Sequence, residues 1–312
     1  MTTKSSHSLL FPILLLLVSM TSIQSGAALA RTLFPEFGVL GVSVLRLVLA
    51  AIVLMIVMRP WRQGWPKGSK GRALIVYGVS LGGMNMLFYQ ALAHIPLGIA
   101  VALEFTGPLA VAILGSRRLL DLLWVVLIIL GLWLLLPLNN FGKEFSVAGV
   151  LYGLGAGACW AFYIIWGRKA GARHGSSAVP LGTFVAGIMG LTIGMTQLGT
   201  QLFIPHLLPL AFAVAILSTA LPYSLEMIAL RRLPSRLFGT LMSLEPAVAT
   251  LSGLLFLHQH LSWIQYLAIL LIMVAAGGAA KTARSSSGGG STQHSQDKSD
   301  EEAIEEVYQH PT

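Results

Sequence analysis

Ten times along the chain an apolar run reaches the roughly 20 residues that cross some 30 Å of hydrocarbon. The runs fall near 10–30, 37–58, 71–92, 97–115, 120–138, 147–166, 178–198, 207–228, 236–256 and 263–281. Nothing constrains the fold more. Backbone in lipid has no water to bond, so a run of this length must close its hydrogen bonds within itself as an α-helix. Composition excludes the alternative of a soluble domain: 55% of residues are hydrophobic and 10% charged, against about 25% charged in an ordinary soluble protein. The chain reads as an all-α integral membrane protein.

The net charge of +8 is distributed by loop rather than by face. With the N-terminus inside, alternate loops collect Arg59, Arg62, Lys67, Lys70 and Arg72, then Arg117 and Arg118, then Arg168, Lys169 and Arg173, then Arg231, Arg232 and Arg236. The opposite loops hold little beyond Arg31 and Lys143. This positive-inside pattern predicts ten spans with both termini cytoplasmic. No basic stripe with interleaved aromatics lies outside the membrane frame, so nucleic acid is not an expected partner. Membrane lipid is. A single cysteine, Cys159, excludes an internal disulfide and fits a small helix filler. The start of the chain imitates a secretory signal, with Lys4, "LLFPILLLLV" and the small-residue ending "GAALA". We expect it to be retained, because its loss would leave nine spans and break the duplication that follows.

An offset of 138 positions pairs "ALAHIP" (91–96) with "ALRRLP" (229–234), Leu103 with Leu241 and Pro108 with Pro246. Each half then holds five spans. An odd number of spans reverses the second copy in the bilayer, so the predicted fold is ten transmembrane helices as two inverted five-helix repeats, a frequent plan of secondary transporters. The expected units are a cytoplasmic N-terminal tail (1–9), a first repeat (10–141), a second repeat (142–282) and a disordered cytoplasmic tail (283–312) too polar to fold alone. Glycines four apart in "GVSLG", "GVLYG" and "GLGAG" predict close helix contacts. They neither follow a strand nor carry a phosphate-loop lysine, so no nucleotide cofactor is expected.

Four ionisable residues remain inside apolar runs: Arg46, Glu104, Glu226 and Glu245. A charge at a helix centre costs about 2.5–3.5 kcal/mol on insertion scales, which several leucines offset, so insertion does not require these residues and they should face a water-filled cavity or one another, in a structural pair or a functional site. Arg46 and Glu104 each lie about eight residues from the outer end of a span, or roughly 12 Å deep, and could pair. Glu245 precedes Pro246, which removes a helix hydrogen bond, and a broken helix beside a midplane carboxylate is typical of transporter sites. Glu226 is shallower and could reach water or the basic loop at Arg231 and Arg232. Asn85 and Tyr89 share a helix face, and Trp160, Tyr163 and Tyr223 complete the candidate wall; Asn85 stands out because an amide in lipid needs a partner. His94 is expected to be exposed at a span boundary. His258 and His260 lack a carboxylate or cysteine nearby, so no metal site is expected.

Burial favours the neutral form of a carboxylic acid and a neighbouring arginine the charged form. If Arg46 pairs with Glu104, Glu245 or Glu226 is the better proton carrier, and a proton gradient is the expected energy source. An amino acid would need a carboxylate, Glu104 or Glu245, for its ammonium, and Arg46, a helix N-terminus or amides for its carboxylate.

The segments "GVSLGGMN" (78–85), "IPLGIAVALEFTGPLAVAI" (95–113), "GACWAFYI" (157–164), "LSTALPYSLEMIALRRLPSR" (217–236) and "FGTLMSLEPA" (238–247) resemble the threonine and homoserine exporters of bacterial inner membranes. These form part of the ten-span EamA-type branch of the drug/metabolite transporter superfamily. The resemblance covers residues 10 to 282 or so and implies efflux of L-threonine, L-homoserine and analogues, in an inner membrane, with no catalytic signature to transfer. Members of the wider superfamily usually carry a Gly-Glu pair after the proline-containing helix of each repeat; here the places read "LGSRRLLD" (114–121) and "FLHQHLS" (256–262), with His258 and Gln259 in the second. Two other readings stay open: the same fold with a drug-like or other metabolite as cargo, and a membrane enzyme acting on lipid. The second would need a clustered catalytic constellation that the sequence does not display.

Overall fold

In a computed structural model, which describes residues 7–63, 69–114, 119–135, 146–199, 205–233 and 235–282, the regular elements are all helical. The helices are α1 (His7–Thr32), α2 (Phe34–Met58), α3 (Ser69–His94), α4 (Leu97–Glu104), α5 (Thr106–Leu114), α6 (Leu119–Leu135) and α7 (Val147–His174). They continue with α8 (Ala178–Leu198), α9 (Leu208–Ala215), a π turn (Ile216–Ala220), α10 (Leu221–Arg232), α11 (Ser235–Met242), α12 (Glu245–Leu257) and α13 (Trp263–Thr282). Among the described residues, six stretches are long and apolar enough to cross a bilayer, and Leu97–Val111, Leu122–Leu135 and Trp263–Ala279 are shorter apolar helices. Large apolar side chains such as Ile56, Leu122, Ile129, Trp133, Leu255 and Trp263 face outward, as a surface solvated by lipid requires. The protein is a multi-pass membrane protein. The tail after Thr282, Lys67, Lys143 and residues 115–118 of "LGSRRLLD", which include Arg117 and Arg118, lie outside the described residues.

Three of the expected spans are not continuous helices, and each break has a proline behind it. Pro108 has no N–H for the Glu104 carbonyl, so the run near 97–115 divides at Phe105 into α4 and α5, and the Thr106 hydroxyl takes the Leu103 carbonyl at 2.6 Å. Pro246 does the same to the run near 236–256, which breaks at Ser243 and Leu244; the Ser243 hydroxyl donates to the Thr240 carbonyl at 2.6 Å. Phe105 and Ser243 are themselves 138 positions apart. In the run near 207–228 the chain widens into the π turn just before Pro222, and the Ser218 hydroxyl donates to the Val214 carbonyl at 2.6 Å. α7 departs in the other direction, running eight residues past the predicted boundary at 166.

Glycines set how closely the elements meet. α3 packs on α7 and α8, with Gly78 against Val185 and Gly182 against the Tyr77 ring. α1 packs on α10, the π turn and α12, with Gly26 on Ser218. Further neighbours are α2 with α8 and α9, α6 with α13, and α4 with α12. The segment that imitates a cleavage site is thus interior helix. Gly83 lies against the Cys159 sulfur, so that thiol fills a helix contact.

His258 ends α12 in the left-handed region (φ 53°), its N–H bonded to the Gly253 carbonyl, a position that ordinarily suits glycine. His258→Gly is therefore expected to stabilise the protein by up to about 1 kcal/mol, seen as a higher melting temperature in detergent; a lower one would contradict this reading of the cap.

Candidate functional site

A cavity of about 610 Å³ opens between the elements of the two halves. Of the nine residues singled out in the sequence, eight line it: Arg46, Asn85, Glu104, Trp160, Tyr163, Tyr223, Glu226 and Glu245. Tyr89 does not. It is wholly buried behind the wall, against Phe34 and Phe88, and its ring carries the Arg46 guanidinium 4.6 Å from the centroid.

The local breaks explain how the carboxylates arrive. Glu104 is the last residue of α4, and Glu245 the first of α12, where unbonded N–H groups and the helix dipole favour a negative charge. Both are buried, 8% and 6% exposed, and Arg46 is 5% exposed. The Arg46 and Glu104 charges are within electrostatic reach, as are Glu104 and Glu245, and Glu245 and Glu226. The Arg46–Glu104 pairing that their common depth allowed is not found as an ion pair among the described residues, however. Arg46 lies on Tyr89 instead, and its Nε has no hydrogen-bond partner among the described residues. A cation held by a ring face keeps its donors available.

Glu226 lies within α10. It faces the cavity, in keeping with the reading that it reaches water, and accepts the Ser19 hydroxyl at 2.9 Å, while Ser19 also contacts the Pro222 carbonyl at 3.1 Å. Asn85 does find a partner, the Leu81 carbonyl of its own helix at 2.7 Å, which leaves its other donor and its oxygen for the cavity. Trp160 meets Phe105 edge-on at 5.4 Å, and Tyr163 stacks on Tyr77 at 4.9 Å. His94 is exposed, bonded to the Gln90 carbonyl.

Sequence reasoning missed Ser19, Gln24, Arg168 and Ser218. Gln24 lines the cavity and its Nε2 donates to Glu245 Oε1 at 3.2 Å. The signal was present, since an amide within the run near 10–30 needs a partner as much as Asn85 does. Arg168 was assigned to a loop, but the extra turns of α7 carry it to the cavity. Gln259 accepts the Leu97 N–H at 2.9 Å, tying the end of α12 to the start of α4.

Lipid-facing helices around a chamber with acids, an arginine and amides define a membrane transporter. The pattern of the EamA-like transporter family matches residues 147–279. The threonine/homoserine exporter RhtA of Salmonella typhimurium is 55% identical over 258 residues, 83% of this chain and 87% of that protein. The RhtA protein of Escherichia coli K12 gives the same identity and coverage. An uncharacterized transporter of Bacillus subtilis, YwfM, is 29% identical over 59% of this chain and 65% of its own. One solved crystal structure shares the fold, with a TM-score of 0.54 and 19% identity over 86% of this chain and 97% of that one. The chain belongs to the EamA-like transporter family.

Proposed function

We propose that this protein is a secondary active exporter of small amino acids, with L-threonine and L-homoserine as the leading cargo, moving them from the cytoplasm across a bacterial inner membrane in exchange for protons. The observation that carries the reading is the chamber, whose lining brings Glu104, Glu226, Glu245 and Arg46 together with no ion pair between them among the described residues. A zwitterion presents the complementary groups, an ammonium for a carboxylate and a carboxylate for the Arg46 donors. The names of the RhtA relatives support the cargo. More than one buried acid in a single cavity also supports proton coupling, because neighbouring like charges resist joint ionisation.

Alternating access follows from the same plan. We read the ten helical segments as two inverted repeats, residues 10–141 and 142–282, with both termini cytoplasmic. Neighbour relations support this: α3 lies on α7 as α10 lies on α1, α5 lies on α7 as α12 lies on α1, and the pairs α2 with α8 and α6 with α13 map onto themselves when the halves are exchanged. In this orientation Arg168 and Glu226 stand at the cytoplasmic mouth, and the Gln259 bond to Leu97 closes the outer side.

Cells producing the protein are expected to grow at homoserine or threonine concentrations that inhibit cells without it, and to release either amino acid faster after preloading. Absence of both effects, with the protein present in the membrane, would move the reading to another cargo. The chamber's size lies within the roughly 300–1,000 Å³ of small-molecule sites, so the panel should include larger amino-acid analogues.

A further inference from the structure

α1 contributes polar side chains that its apolar pattern conceals. Ser19 and Ser22 are occupied, with Glu226 and with the Leu217 carbonyl. Gln24 differs. It is 1% exposed, and its single hydrogen bond to Glu245 leaves Gln24 Oε1 and Glu245 Oε2 without a donor among the described residues. Reversing the amide would set oxygen against a carboxylate oxygen, so the orientation that donates to Glu245 is the one a charged Glu245 selects. Buried acceptors without donors are uncommon in folded proteins, because losing hydration without replacement costs more than an ordinary hydrogen bond returns.

A single group that gives two or more hydrogen bonds would satisfy both oxygens. An ammonium has three donors and no acceptor, whereas a hydroxyl has one donor and a carboxylate none. Both residues border the chamber. The two oxygens are covered in this conformation, and a pair held by one 3.2 Å bond can turn to expose them. Resting on the amino-acid transport reading, we propose that Gln24 and Glu245 together form the ammonium-binding pole of the chamber, with Gln24 the residue that distinguishes an α-amino acid from the hydroxy acid of the same carbon skeleton.

The test uses the full-length protein in proteoliposomes loaded with L-threonine, following entry of labelled L-threonine in competition with unlabelled L-threonine or 2,3-dihydroxybutyrate. Wild type should prefer the amino acid by about tenfold or more, the worth of a charge-assisted hydrogen bond. In Gln24→Leu the half-saturation concentration should rise about tenfold, the maximal rate should fall less than about threefold, and the preference should shrink toward one. Gln24→Asn, which keeps the amide on a shorter stem, should fall between the two and serves if the leucine variant does not fold. Wild-type half-saturation and preference in either folded variant would overturn the proposal alone. Wild-type vesicles that exchange no L-threonine would overturn the transport reading and this proposal with it.

Discussion

Glu245→Gln is expected to lower threonine and homoserine efflux about 30-fold or more while the protein still reaches the membrane. Glutamine keeps the volume, so the packing of Glu245 and Pro246 at the start of α12 should survive. What disappears is the charge. Removing one partner of a desolvated, hydrogen-bonded charge pair costs about 2–5 kcal/mol, and each 1.4 kcal/mol is about tenfold. The glutamine must also give Gln24 an amide where it now bonds a carboxylate oxygen. Efflux from preloaded cells, normalised to the protein found in the membrane, measures the effect. Glu104→Gln should also reduce efflux, since Glu104 shares the cavity and the electrostatic reach of Glu245 and Arg46. Wild-type efflux from both variants would remove these acids from the site.

The second large effect is on folding. At the break between α4 and α5, backbone meets backbone: a Cβ on Gly107 would collide with the Gly157 carbonyl, and one on Gly157 would lie 2.8 Å from the Glu104 carbonyl and 3.0 Å from the Thr106 hydroxyl. No flexible side-chain end is there to yield. Overpacking of a tight core costs about 1–3 kcal/mol when side chains can give, and here the main chain itself must move. Gly107→Leu and Gly157→Leu are each expected to leave little folded protein in the membrane, while Gly171→Ala, with nothing within 4 Å of its Cβ, should be neutral. Abundance by immunoblot and melting temperature in detergent decide it. Normal amounts of either leucine variant would contradict the packing of α4 and α5 on α7.

The parts of this molecule legible in its sequence were those governed by solvation. Lipid fixes the length and apolarity of a spanning helix, and isolated charges at depth are costly enough to mark a site, so Arg46, Glu104, Glu226 and Glu245 could be picked out by residue type alone. Geometry within the helices was less visible. Pro246 announced its break because it stands beside Glu245, whereas Pro108 and Pro222 carry the same missing N–H, and their effect on the runs near 97–115 and 207–228 was not drawn. Depth alone brought Arg46 and Glu104 to one level but could not say that a Tyr89 ring would take the guanidinium. Gln24 was hidden by its neighbours, since one amide scarcely lowers the hydropathy of the run around it.

The most direct measurement of the central claim is the two-sided accessibility of the chamber. In a Cys159→Ser background, Ile23→Cys would place one thiol at the chamber wall, beside Gln24. A membrane-impermeant thiol reagent is then applied to right-side-out and to inside-out vesicles. An alternating-access exporter predicts modification from both faces, slowed in each case by L-threonine or L-homoserine. Modification from one face only, or from both at a rate that substrate leaves unchanged, would contradict it.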